Sequence, residues 1–122
     1  MKKVLKVLLI VVLCIVGILF LLGAVVNIAL REAEEDRRRF TTLTIINSIS
    51  QACDIYRMKT GRLPRNIEDL TNGIRDEEPL LKDGAFNDAW GRRFDYNVYG
   101  RRYTIRSAGA DGIMNTEDDL TN

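Results

Sequence analysis

The densest chemistry in this 122-residue chain lies in its last stretch, SAGADGIMNTEDDL. Asp111, Asn115, Glu117, Asp118 and Asp119 place five oxygen-bearing side chains within nine residues, and Gly109 and Gly112 permit tight turns between them. Hard cations such as calcium take about six to eight oxygens from carboxylates, backbone carbonyls and water. A loop without histidine or cysteine discriminates against zinc and copper. The spacing is not that of an EF-hand, because no glutamate closes a loop of about 12 residues. On spacing alone, the same residues also fit a solvated acidic turn at a frayed terminus.

Other chemistry is scarce. The chain has no histidine, which removes the commonest general base and metal ligand. Cys14 and Cys53 are its two cysteines, and only Cys53 lies outside the apolar N-terminal run, so the rest of the chain closes no internal disulfide. Cys53 falls on the apolar side of a helical pattern and reads as core; an unpaired thiol in an oxidising compartment could otherwise link two chains. An enzyme therefore ranks last among the functions considered.

The elements that must carry the acidic loop begin with a strongly apolar end. The first 30 residues hold three lysines and no acid, and 24 uncharged residues run from Val7 to Leu30. At about 1.5 Å per residue such a helix exceeds the roughly 30 Å hydrocarbon layer, whereas a signal-peptide core spans about 7 to 15 residues. The reading is a retained transmembrane helix over 7–30 behind a basic flank, 1–6. Cys14 follows Val11, Val12 and Leu13, too bulky for a lipoprotein cleavage site, and reads as one more apolar residue. Basic residues nearly tie across the span, Lys2, Lys3 and Lys6 against Arg31, Arg37, Arg38 and Arg39, so charge alone does not orient it. The other 92 residues carry 15 basic and 17 acidic side chains, a balance without the broad positive footprint of a nucleic-acid binder.

From Arg31 no glycine or proline interrupts a helical pattern until Gly61. Glu34 with Arg38 and Glu35 with Arg39 are spaced as helical ion pairs. Apolar residues recur at Phe40, Leu43 and Ile46 and along the neighbouring row Ile45, Ile49, Ala52 and Tyr56. Arg57, Lys59, Gly61 and Pro64 mark the helix end, which makes 31–60 an amphipathic continuation of the first helix and 61–122 a small head. Asn66 with Asp69 signals a short second helix burying Leu70. Gly73 to Asp83 reads as loop. Phe94, Tyr96 and Val98, then Tyr103 and Ile105, alternate with polar residues around a turn at Tyr99 and Gly100, an antiparallel hairpin with one apolar face for the helix to cover. The expected fold is α+β: a long N-terminal helix packed on a small antiparallel sheet, ending in the acidic C-terminal loop, a metal-binding loop only on the resemblance that follows.

A helix ending in GRLP, DAWG before a hairpin, and SAGADG followed by EDDL resemble, in that order, the major pseudopilin (G-type) family of the type II secretion system, over roughly residues 41 to 122. The resemblance implies a calcium ion that holds the C-terminal end against the sheet. Its ligands would be the side chains of Asp111, Asp118 and Asp119 and the carbonyls of Ala108, Ile113 and Thr116. It also implies a single-pass protein of the bacterial inner membrane with a periplasmic head and other pseudopilin-like subunits as partners, with neither nucleic acid nor a small-molecule substrate. Trp90 would be a packing anchor and Gly91 a turn. Pseudopilins are cut after a glycine and carry a glutamate five residues on. Here the residues five beyond Gly17 and Gly23 are Leu22 and Ile28, and no acid precedes Glu32, so an uncleaved anchor is expected. Two functions remain in contention: a structural subunit of a secretion or pilus-type apparatus, and a membrane-anchored binding module with a pseudopilin-like head that does not assemble into a fibre.

Overall fold

In the computed structural model, which describes residues 1–74, 77–82 and 85–122, the chain forms one helix, α1 (Lys2–Thr60), a single 3-10 turn (Ile67–Leu70) and three strands, β1 (Asp95–Tyr99), β2 (Arg102–Ser107) and β3 (Leu120–Thr121). By its internal contacts it divides into two units, Met1–Glu35 and Asp36–Asn122. The first is helix alone. All of residues 1–30 are exposed within it, and its apolar run is long and apolar enough to cross a membrane.

In the second unit α1 buries Thr42, Ile46, Ile49, Ala52, Cys53 and Tyr56, steps of three and four that keep one face inward. Phe40 and Leu43, expected on that face, are 74% and 39% exposed. The buried row starts instead at Thr42, and two residues of helix turn Phe40 about 200° away from it. Ile67, Leu70, Leu81, Phe94, Ile105 and Leu120 complete the core, each full burial contributing about 1.5 to 3 kcal/mol. Cys53 is fully buried, as its position in the helical pattern predicts, and burial pushes its thiol up to about 11, far from a reactive thiolate.

The helix stops where the sequence punctuates it, the Gly61 N–H donating to the Arg57 carbonyl at 2.8 Å. The expected second helix is one 3-10 turn. Asn66 Oδ1 accepts the Asp69 N–H at 2.9 Å, while Asp69 reaches back to the Arg65 N–H rather than to that of Asn66, so the reciprocal half of a capping box is not made. The Leu70 carbonyl then accepts both the Leu80 and Leu81 N–H groups, which pins the returning chain. Arg75, Asp76 and Asp83, part of the predicted loop, lie outside the described residues.

The sheet is antiparallel in the order β1-β2-β3. Tyr96 pairs with Ile105 and Val98 with Tyr103, the apolar face anticipated from alternation. The turn lies one residue later than expected: Tyr99 pairs with Arg102, leaving Gly100 and Arg101 as a two-residue connection, with Gly100 in the left-handed region at φ 63°. Two tyrosine hydroxyls tie the sheet to other elements, Tyr96 donating to the Pro64 carbonyl at 2.9 Å and Tyr103 to the Ser50 carbonyl at 3.1 Å. β3 was not foreseen; Leu120 and Thr121 pair with Ser107 and Arg106, and Leu120 enters the core.

Candidate metal centre

The acidic loop is suspended between β2 and β3, so its two ends are neighbours in the sheet before any side chain acts. At its start Gly109 has φ 59°, and a Cβ there would run into the backbone carbonyl and the carboxylate of Asp118. Only glycine lets the two limbs of the loop approach this closely. Across that contact Asp118 Oδ2 accepts the Asp111 N–H at 2.9 Å, and Asp118 Oδ1 lies 2.6 Å from the Thr116 hydroxyl. Thr116 Oγ1 is also 2.9 Å from the Ile113 carbonyl, and Asp111 Oδ1 accepts the Ile113 N–H at 2.8 Å. Asp111, Ile113, Thr116 and Asp118 thus form one connected network. The Ala108 carbonyl, at the foot of the loop, accepts the Gly112 N–H.

Asp119 belongs to a second group. Its Oδ2 takes an ion pair from Arg106 at 2.6 Å and the Asn115 N–H at 2.8 Å, while Arg106 also donates to Asn115 Oδ1. Its Oδ1 is buried and has no hydrogen-bond partner among the described residues. Asn115 holds a left-handed φ of 71°, a conformation that its short polar side chain tolerates better than most. Among the described residues, no three carboxylates or thiols gather in a cluster that could hold a metal by side chains alone. Any cation here would have to draw on backbone carbonyls. Glu117, counted among the acidic side chains of the sequence, stands exposed.

Three residues that organise the loop were not singled out in the sequence. Arg92 reaches across to donate to the carbonyls of Gly109, at 2.5 Å, and Ala110, at 3.2 Å. Arg106 neutralises Asp119. Asp88, only 5% exposed, accepts the Trp90 and Arg92 N–H groups through Oδ1 and the Ser107 hydroxyl through Oδ2. Ser107 Oγ in turn accepts the Gly109 N–H, and the Ala89 N–H donates to the buried Thr42 of α1. The DAWG segment is therefore a clasp between α1, the end of β2 and the acidic loop. Trp90 packs half-buried against the core and Gly91 closes the turn on Asp88, the packing and turn roles expected of them.

An apolar N-terminal helix whose later residues pack in a small head, a three-stranded antiparallel sheet and a terminal loop strapped to its edge together define a pseudopilin. The chain belongs to the family described as Type II secretion system (T2SS), protein G, which matches residues 29–122. The Type II secretion system core protein G of Escherichia coli (strain K12) is 29% identical over 126 residues, covering 92% of this chain and 83% of that protein. The crystal structure of the major pseudopilin from the type 2 secretion system of enterohaemorrhagic Escherichia coli aligns with a TM-score of 0.60 at 21% identity, over 75% of this chain and 87% of that one. That structural likeness supports the fold; the family match carries the assignment.

Two outcomes follow from the geometry. Asp88→Ala orphans two backbone donors and a hydroxyl, at about 1 to 3 kcal/mol each, and should lower stability by about 3 kcal/mol or more. Trp90 fluorescence during urea unfolding measures this, and a loss below about 1 kcal/mol would show that Asp88 does not hold the clasp. The second concerns pH. The Thr116 hydroxyl, followed by the Asp111 N–H, pulls the Asp118 carboxyl from its ordinary 3.8 down to about 2. A lowered folded value means that the contribution is fully present above about pH 4 and is lost as pH falls through about 2. The Asp111 and Thr116 resonances should move together across that window in an NMR titration without added metal; a midpoint near 4 would remove the network.

Proposed function

We propose that this pseudopilin is a structural subunit anchored in the bacterial inner membrane by the apolar part of α1, with its head outside the cytoplasm and its terminal loop closed on a calcium ion. The observation that carries the calcium reading is the buried Asp119 Oδ1, an anionic oxygen without a donor among the described residues, in a loop of hard oxygen atoms. Asp111, Asp118 and Asp119 supply the carboxylates, and the carbonyls of Ala108, Ile113 and Thr116 each keep a lone pair beyond the hydrogen bond they already accept. This donor set suits calcium rather than a softer metal. Bound there, the ion supplies a charge-neutralising crosslink between the limbs of the loop, while Arg92 and Arg106 set the backbone that presents the oxygens.

The membrane anchor rests on the 24 uncharged residues from Val7 to Leu30. Membership of the protein G family favours a subunit of the secretion apparatus over an anchored binding module that never assembles, and it supports a non-catalytic role. Other pseudopilin subunits, of this or related chains, are the partners this reading requires.

Full-length protein in detergent should melt at a higher temperature in calcium than in a chelator. Calcium at about 100 times its Kd adds about 2.7 kcal/mol to the folded state. Asp118→Asn should abolish most of that difference, and identical melting curves for the wild-type chain would refute the calcium site. Assembly is tested separately by crosslinking in intact cells, where ladders of the chain with itself or with other pseudopilins are expected. Monomer alone, under conditions that crosslink known subunits, would favour the solitary module.

A further inference from the structure

At the end of the head where α1 stops, the helix terminus and the β1-β2 turn enclose an open cleft of about 440 Å³ lined by Arg57, Gly61, Arg62, Leu63, Gly100 and Arg101. Three of the six lining residues carry guanidinium groups. Cations near a helix C-terminus ordinarily need no ligand to explain them, since they complement the partial negative charge of the last carbonyls. Arg57 and Lys59, in the last turn of α1, already serve that role. Arg101 is different: it comes from the hairpin turn, far along the chain, and brings its charge to the same cleft.

The local charge is only partly compensated. Arg57 pairs with Asp54 at 3.2 Å. Among the described residues, the guanidinium groups of Arg62 and Arg101 meet no acid, and both residues are exposed at the mouth of the cleft. Two positive charges therefore face one open space. A phosphate group carries about −1.5 to −2 near neutral pH and matches that surplus, whereas a single carboxylate would leave one charge over. Guanidinium forks also match tetrahedral oxyanions with paired N–H donors. Leu63 adds an apolar wall, and neither Gly61 nor Gly100 has a side chain to fill the space between the arginines.

We infer that this cleft binds a phosphate-type oxyanion, either free or carried on a lipid headgroup. The cleft shares no residue with the acidic terminal loop, so this site and the calcium site stand or fall independently.

The test uses the full chain, isotopically labelled, in uncharged maltoside micelles without added calcium. Inorganic phosphate is titrated against sodium chloride at matched ionic strength, following the Gly61 and Gly100 amides and the side-chain Nε–H signals of Arg62 and Arg101. Saturable shifts confined to these groups are expected with phosphate and not with chloride. Arg62→Gln and Arg101→Gln should each weaken binding about tenfold by removing charge-assisted hydrogen bonds. Arg102→Gln, on the same hairpin but outside the lining, should leave affinity unchanged. A parallel arm replaces soluble phosphate with micelles doped with phosphatidylglycerol; saturation there but not with inorganic phosphate assigns the headgroup as the source. Shifts that chloride reproduces, affinity that survives both cleft substitutions, or no saturation in either arm would overturn the proposal.

Discussion

The head depends on one buried carboxylate. Among the described residues Asp88 pairs with no cation; its charge is met by two backbone N–H groups and the Ser107 hydroxyl, and the turn it organises also hands the Ala89 N–H to Thr42. Those few bonds join three pieces of chain that are remote in sequence: the middle of α1, the DAWG turn and the end of β2. Such a junction is costly to leave half-made, because each unpaired buried donor or acceptor loses its water without replacement. That requirement fixes where β2 must end and therefore where the acidic loop begins. Arg92, placed by its own N–H on Asp88, is thereby aimed at the Gly109 and Ala110 carbonyls.

How much of this was legible in the sequence follows from the range of each interaction. The α1 helix and its end at Gly61 are local, written in spacing, terminal cations and glycine, and they were readable. So was the hairpin, because period-two alternation on both strands agreed. Phe40 misled for a physical reason: it is apolar and helical in spacing, yet the inward face is set by Thr42, a polar residue whose partner lies 47 positions along the chain. A hydroxyl that earns its place in a core through a distant backbone donor leaves no mark in a hydrophobic pattern.

The terminal region failed to announce itself in a similar way. β3 spans two residues, too short to display alternation, and it exists because Leu120 finds the core while Asn122 Oδ1 accepts the Ile105 N–H at 2.8 Å. The acids of the terminal loop and Asn115 were visible, but their division was not. Asp111 and Asp118 fall into one network, while Asp119 turns to Arg106, a residue of β2 that alternation had marked only as polar. Asp88 was passed over because tryptophan and glycine dominate the DAWG motif, and the value of its aspartate depends on Ser107 across the sheet.

This division bears on what a cation could add. Ordering each residue of a loop costs about 1 to 2 kcal/mol of backbone entropy, and here much of that ordering is secured by internal means: the sheet fixes both ends, Gly109 permits the close approach, and Arg92 and Arg106 hold the two limbs. A cation entering such a loop would not have to fold it. It would instead act on what the internal bonds leave unfinished, which is the buried oxygen of Asp119. Since Arg106 already offsets one carboxylate, the loop demands less external charge than its acid count suggests. The balance between the two arginines and the acids, rather than the acids alone, then sets how tightly the terminus depends on an ion.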